Sequence, residues 1–78
     1  MSEQPEQAPW QRGLGESLLH YRKLTGMSQA LVADIAEVSQ GNLSRAENGW
    51  SGFCIPTLLR LSEVYGIKLS ELLSHAGL

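Results

Sequence analysis

Two short helical segments, joined by only three residues, constrain the fold of this chain more than any other feature. Ser28 is a favourable N-cap residue and predicts a helix over residues 29 to about 36. Ser39 plays the same part for a helix over residues 40 to about 48, which stops at Gly49. The connection is Glu37-Val38-Ser39. So short a connection forces the two helices to cross steeply.

Three further helices are predicted from apolar residues at helical spacing. Gly26, Gly66 and Gly77 follow their expected ends, and Pro56 suits the first turn of the fourth helix. The stripes of the first, fourth and fifth helices are Leu14, Leu18 and Tyr21, then Leu58, Leu61 and Tyr65, and then Leu69, Leu72 and Leu73. The sequence therefore predicts an all-α, compact five-helix domain without a strand.

Length and charge limit the domain organisation and the function. The chain has 78 residues, the size of one small domain. We expect residues 1–9, which include Pro5 and Pro9, to form a disordered arm, and residues 10–78 to form the domain. The net charge is −2. This excludes the strongly basic surface that indiscriminate nucleic-acid binding requires.

Several function classes find no support in the residues. Cys54 is the single cysteine, which fits a reducing cytoplasm; it is either a redox sensor or the residue that caps or precedes the fourth helix. His20 and His75 each lack neighbours at metal-ligand spacing, so we expect surface histidines and no metal. No serine has a nucleophilic constellation, and no phosphate-binding loop occurs. We expect no enzyme, no cofactor and no membrane partner.

The third predicted helix has a polar face suited to DNA. Helical spacing directs Gln40, Asn42, Ser44 and Arg45 away from the apolar Leu43 and Ala46. Gln and Asn can pair with adenine and Arg with guanine, and the second helix of such a pair can lie in the major groove. Gly41 either lets the helix backbone approach the groove or is simply tolerated. An ordinary solvated helix face is the alternative interpretation.

The segments 14–29, 32–49 and 57–73 resemble the phage-repressor and Cro type of helix-turn-helix protein, the Xre family. The pairs Ser28-Gln29 and Glu47-Asn48-Gly49, in register with Ser39 and Leu43, carry the resemblance. It implies a lambda-repressor-like fold with the helix-turn-helix at about 28–48. It also implies a cytoplasmic transcriptional regulator, most readily a repressor that binds a palindromic operator on double-stranded DNA as a homodimer.

The resemblance also implies roles for individual residues. The base-reading or groove-facing positions are Gln40, Gly41, Asn42 and Arg45. The phosphate-contacting positions are Ser28, Gln29, Ser39, Ser44 and Asn48. Arg22 and Glu47 match a structural ion pair that fixes the first helix to the end of the third.

The chain departs from the family in the turn and in the loop after the third helix. Glu37 stands where the family often has Gly, and a positive φ there costs about 1–2 kcal/mol. The loop after Gly49 lacks the usual Lys or Arg. We therefore expect modest affinity per subunit and reliance on dimerisation. Trp50 and Phe53 in this loop either cover the edge of the core or form part of a dimer interface; in a third interpretation, Trp50 lies against the DNA backbone.

Apolar residues elsewhere leave the partner surface open. The fifth helix, with Leu72, Leu73 and Leu78, is a second candidate for the dimer surface. Leu31 and Ile35 lie on one face of the second helix, where relatives often have polar residues; they are covered by Trp10 or form a patch for a regulatory protein partner. The alternative function is accordingly a protein-interaction module on the same fold, of the antitoxin or anti-repressor type, with weak or partner-dependent DNA binding.

Overall fold

A computed structural model of the protein describes residues 7–78, and this part of the chain forms five α-helices without a strand. The helices are α1 Pro9–Thr25, α2 Gln29–Ala36, α3 Gln40–Glu47, α4 Ile55–Tyr65 and α5 Leu69–His75. The all-α, five-helix prediction is confirmed. Ser28 and Ser39 occupy the predicted N-cap positions, and Gly26 and Gly66 end α1 and α4 in the left-handed conformation.

Helix α1 begins before its apolar stripe. The stripe starts at Leu14, whereas the helix starts at Pro9, in the first-turn position where a missing N–H has no cost. The Ala8 backbone N–H donates to Gln11 Oε1 at 2.8 Å and supports this start. The prediction of a disordered arm covers residues 1–9. Residues 1–6 lie outside the described residues, and Pro9, the last residue of the predicted arm, already belongs to α1.

The core is built from the apolar stripes that the sequence predicts. Leu18, Val32, Leu43, Leu61 and Leu72 have no exposed surface at all. The expectation that Leu72 belongs to a dimer surface is therefore wrong, because α5 directs this side chain into the core. Leu69 and Leu73 pack only partly against the core, and Leu78 remains 60% exposed.

Two glycines let α1 approach its neighbours closely. A Cβ at Gly15 would lie 2.5 Å from the Ala46 carbonyl oxygen, so only glycine permits this contact between α1 and the end of α3. A Cβ at Gly13 would clash with the Ala76 backbone after α5. The buried Ser17 hydroxyl adds a hydrogen bond of 2.6 Å to the Leu72 carbonyl oxygen. Helix α1 thus fixes the position of α3 on one side and of α5 on the other.

Candidate nucleic-acid interface

The turn between α2 and α3 has the geometry that a steep crossing requires. Glu37 adopts φ 59° and ψ 42°, and it is the one non-glycine residue with a positive φ among residues 7–78. Its left-handed backbone lets the Val38 N–H donate to the Ala33 carbonyl oxygen at 2.9 Å, which closes the end of α2. The strain expected at Glu37 is therefore present, and it lies at the point where the chain turns towards α3.

Helix α3 has a buried face and an exposed polar face. Leu43 and Ala46 are fully buried, and the Ser39 hydroxyl accepts the Asn42 N–H at 3.0 Å and caps the helix. The predicted base-reading residues are all exposed: Gln40, Gly41, Asn42 and Arg45. Ser44 is half-buried at the edge of this face. The structure thus brings the predicted base-reading side chains together on one accessible surface.

The predicted Arg22–Glu47 pair forms and includes a third side chain. Arg22 donates to the Glu47 carboxylate through Nε at 2.7 Å and through a terminal guanidinium nitrogen at 3.1 Å. The Gln29 amide also donates to this carboxylate, at 2.7 Å. The side chain of Glu47 is only 3% exposed, and the hydrogen bond to it raises the pKa of Arg22. One carboxylate therefore joins α1, the start of α2 and the end of α3.

Several side chains expected at phosphates bond within the protein. The Gln29 amide binds Glu47, and the Asn48 amide donates to the Ser44 carbonyl oxygen at 2.8 Å. The Ser28 hydroxyl accepts the Leu31 N–H at 3.1 Å. Phosphate contacts from these positions would thus come from their remaining polar groups, such as the N–H groups at the start of α2.

Arg60 is a contributor to the turn that the sequence analysis did not single out. Its Nε donates to the Ala36 carbonyl oxygen at 2.9 Å, so a cation from α4 satisfies the C-terminal end of α2. The same guanidinium lies 3.4 Å from the Thr57 hydroxyl one turn earlier in α4. No sequence signal indicates this contact, because the two residues lie 24 positions apart.

Few cations are available to this surface. Residues 7–78 contain six basic and six acidic side chains, but Arg22 is paired with Glu47 and Arg60 binds the end of α2. Arg45 lies on the polar face of α3, and the Arg12 backbone packs beside Gly49 at the end of that helix. Arg45 and Arg12 are therefore the basic residues that the described geometry places on or beside α3.

The two aromatic residues of the loop after α3, Trp50 and Phe53, differ in burial. Phe53 is half-buried and packs against the core, as the core-cover interpretation predicts. Trp50, three residues after the end of α3, remains 45% exposed. Trp10 packs over Gly52, since a Cβ there would lie 3.1 Å from its ring. The idea that Trp10 covers the second-helix patch is therefore wrong.

The patch on α2 is open to solvent. Leu31 is 47% exposed and Ile35 is 50% exposed. Ile35 also lines a shallow groove of about 370 Å³ between α2 and α4, together with Arg60, Glu63 and Val64. The α2 surface that the sequence analysis suggested for a protein partner is thus accessible to solvent.

The two histidines come together although they lie 55 residues apart. The rings of His20 and His75 stack with centroids 4.3 Å apart and planes 11° apart. Tyr21 meets both rings edge to face. Both histidines are exposed, as expected, but they form a pair between α1 and α5 rather than two isolated residues. Within residues 7–78, no three His, Cys, Asp or Glu side chains are grouped to hold a metal ion.

Cys54 takes the position expected for it at the start of α4. It is the N-cap residue and is exposed, and its thiol lies 3.3 Å from the Thr57 hydroxyl. That hydrogen bond lowers the pKa of the thiol.

Comparison with protein families decides the classification. A helix-turn-helix family model matches residues 18–72, which include the α2–turn–α3 unit. The chain belongs to the Xre-type helix-turn-helix family of DNA-binding regulators. No curated protein sequence matches it. None of the helices described here is long and apolar enough to cross a membrane.

Solved structures share this fold. Two crystal structures of the clp gene regulator ClgR from Corynebacterium glutamicum align with TM-scores of 0.85 and 0.83, at 24% and 23% identity. The alignments cover 92% and 99% of this chain and 77% and 95% of those chains. The restriction-modification controller protein C.AhdI from Aeromonas hydrophila aligns with a TM-score of 0.74 at 23% identity, over 78% of this chain and 92% of that one.

Proposed function

We propose that this protein binds a specific palindromic operator on double-stranded DNA as a homodimer and represses transcription in the cytoplasm by occluding a promoter. Helix α3 would enter the major groove. Gln40, Asn42 and Arg45 would contact base edges, and Gly41 would allow close approach of the backbone. The structural neighbours are a clp gene regulator and a restriction-modification controller protein, which supports a regulatory role.

The exposed polar face of α3 is the observation that carries this proposal. Leu43 and Ala46 anchor the helix to the core, so the opposite face is held at a fixed angle to α2. The carboxylate of Glu47 ties the end of the same helix to α1 and α2. Base-edge recognition needs side chains placed in this way on a rigid element.

The scarcity of cations supports a dimer. Arg45 and Arg12 are the cations that the structure associates with α3, and affinity for duplex DNA depends largely on the number of phosphates neutralised. Two subunits would double these contacts across half-sites about 34 Å apart. Trp50, Leu73 and Leu78 carry exposed or partly exposed apolar surface for the dimer contact. Phe53, in the same loop as Trp50, packs against the core.

The proposal is tested by binding of the full chain to a randomised duplex pool. Bound duplexes are separated, enriched and sequenced, and the affinity for the enriched site is then measured by fluorescence anisotropy over a salt titration. We expect a two-fold symmetric site and an affinity that falls as salt rises. Absence of any enriched site, with only weak binding that disappears at moderate salt, would contradict autonomous sequence recognition.

A protein-interaction module is the second candidate function, and the patch on α2 favours it. Leu31 and Ile35 are each about half exposed, and Ile35 lines the groove together with Arg60 and Val64. An exposed apolar patch with a polar rim is typical of a partner surface. Leu31→Glu should abolish capture of such a regulatory partner while leaving DNA binding intact. Loss of DNA binding in this variant, with the fold preserved, would argue against a separate partner surface.

A further inference from the structure

Helix α2 has no cation of its own at its C-terminal end. Basic side chains are favourable in the last turn of a helix, because the negative end of the helix dipole lies there. The last turn of α2 contains no basic residue; it contains Asp34, and Glu37 follows it directly. Arg60 of α4 supplies the missing charge, since its Nε donates to the Ala36 carbonyl oxygen at 2.9 Å. The end of α2 thus depends on a side chain from outside the helix-turn-helix unit.

The carbonyl group that Arg60 holds lies next to the strained residue of the turn. The Ala36 carbonyl and the Glu37 N–H belong to one peptide unit, and this unit is planar. A donor bound to the oxygen therefore restricts rotation of the plane that precedes the Glu37 Cα. Glu37 adopts φ 59°, which is unfavourable for a residue with a Cβ. The Arg60 hydrogen bond thus acts on Glu37 through the backbone.

Arg60 is itself held in place by α4. A terminal nitrogen of its guanidinium lies 3.4 Å from the hydroxyl of Thr57, a buried residue one turn earlier in the helix. The side chain lies in the groove between α4 and α2, where Ile35 is a neighbouring lining residue. With a partner on each side, the guanidinium can hold the Ala36 peptide in a defined orientation.

The backbone of Glu37 determines how the chain enters α3. While Glu37 is left-handed, the Val38 N–H donates to the Ala33 carbonyl oxygen at 2.9 Å. The next residue, Ser39, is the N-cap of α3. A different backbone conformation at Glu37 would break the Val38 contact and change the direction of α3 relative to α2.

We propose that Arg60 is a positioning residue for DNA recognition: it holds the Ala36 carbonyl group, keeps Glu37 left-handed, and so sets the angle at which α3 enters the major groove. The inference rests on the proposed function, since it concerns the placement of the same helix. Arg60 itself contacts no DNA. It compensates for the side chain at position 37, where glycine would adopt the same backbone unaided.

A double-mutant cycle between Arg60→Met and Glu37→Gly tests the inference, with affinity for the enriched duplex measured by fluorescence anisotropy over a salt titration. The loss caused by Arg60→Met is compared between backgrounds, so the effect of position 37 itself cancels. The Glu37→Gln background separates the charge of Glu37 from its Cβ. Lys68→Met is the matched control, because it removes one cation from the start of α5.

We expect Arg60→Met to weaken binding roughly three- to ten-fold in the wild-type and Glu37→Gln backgrounds, and less than about two-fold in the Glu37→Gly background. The salt dependence of the affinity should match that of wild type, because Arg60 neutralises no phosphate. Lys68→Met should stay within about two-fold of wild type. Circular dichroism checks the fold of each variant. Arg60→Lys, which keeps the charge and loses the Nε donor, takes the place of Arg60→Met if that variant does not fold.

Hydrogen exchange of the Val38 amide, followed by NMR, tests the turn without DNA. This amide is protected by its bond to the Ala33 carbonyl oxygen. Arg60→Met should speed its exchange relative to the amide of Leu18, a fully buried core residue of α1. Glu37→Gly/Arg60→Met should restore the protection.

Other results overturn the inference in distinguishable ways. An equal loss of affinity from Arg60→Met in the Glu37→Gly background would show that Arg60 does not act through the turn. A salt dependence reduced by about one phosphate contact would show that Arg60 binds DNA directly. Absence of DNA binding in wild type would overturn the proposed function. Unchanged exchange of Val38 in Arg60→Met would overturn the inference whether or not wild type binds DNA.

Discussion

Arg22 and Glu47 join α1 to the end of α3 through two hydrogen bonds of 2.7 and 3.1 Å, and the Glu47 side chain in this pair is 3% exposed. Because the carboxylate is almost completely buried, its charge depends on these donors and on Gln29 for stabilisation. The pair therefore controls the placement of the proposed DNA-reading helix through the fold.

Arg22→Ala should reduce the free energy of unfolding by roughly 3–5 kcal/mol, since it leaves a buried carboxylate without its cation. Urea denaturation followed by circular dichroism measures the loss. Arg22→Met/Glu47→Leu should be less destabilised than Arg22→Ala, because it removes both charges. If Arg22→Ala keeps wild-type stability but loses DNA binding, Arg22 contacts DNA directly and its structural assignment is wrong.

Glu37→Gly should raise the free energy of unfolding by about 1 kcal/mol, because glycine adopts φ 59° without the steric cost that a side chain incurs. Thermal and urea denaturation measure the gain. Glu37→Gln is the control, since it removes the charge and keeps the Cβ. A gain of equal size in both variants would show that the charge, and not the backbone, is the source of the strain.

Gly15→Ala should destabilise the protein by about 1–3 kcal/mol, because its Cβ would meet backbone atoms of α3 that cannot move aside cheaply. Gly41→Ala is the matched control: no atom lies within 4 Å of the added Cβ. In an exposed helix this change should stabilise by up to about 1 kcal/mol. Urea denaturation of the two variants checks the contrast, and equal effects would contradict the close packing of α1 on α3.

Gly41→Ala should nevertheless weaken DNA binding, if the backbone of α3 approaches the groove as proposed. Fluorescence anisotropy with the enriched duplex measures the change in affinity, in a variant whose fold is unaltered. Unchanged affinity would mean that Gly41 is merely tolerated in the first turn of α3.

The helix boundaries were largely predictable because local chemistry defines them. Ser28 and Ser39 cap α2 and α3, and Gly26 and Gly66 end α1 and α4. The buried stripe of each helix follows from its spacing. The start of α1 was missed because Pro9 and the Ala8–Gln11 contact lie before the first apolar residue of the stripe.

The candidate site was predictable only in part, because its contacts are long-range. The polar face of α3 follows from helical spacing, and the Arg22–Glu47 pair follows from the family resemblance. The contacts of Gln29 with Glu47, Arg60 with Ala36, and His20 with His75 depend on how the helices pack. Periodicity carries no information about such tertiary pairs.

Tyr65→Phe should leave stability unchanged or raise it by up to about 1 kcal/mol at neutral pH, because the Tyr65 hydroxyl is buried with no hydrogen-bond partner among residues 7–78. Burial, and then the charge of Glu47, raises the pKa of Tyr65. A tyrosine in the unfolded chain ionises near pH 10. The unfolded state therefore loses its proton first as pH rises, and folded stability falls above about pH 10.

Urea denaturation at about pH 8 and about pH 10.5 measures this contribution. Wild type should lose more stability between the two conditions than Tyr65→Phe, which has no ionisable group at that position. An equal loss in both proteins would show that the Tyr65 hydroxyl reaches water in the folded state.

The most direct test of recognition by α3 is a parallel selection from the randomised duplex pool with wild type and with Arg45→Ala. The variant should fold normally, because the exposed Arg45 side chain forms no hydrogen bond within residues 7–78. We predict that it loses about 1–3 kcal/mol of discrimination at one base pair of each half-site and keeps the rest of the site. Lys68→Ala, which removes a cation from the start of α5, should select the wild-type site. Identical sites from wild type and Arg45→Ala, with unchanged affinity, would contradict base recognition through this helix.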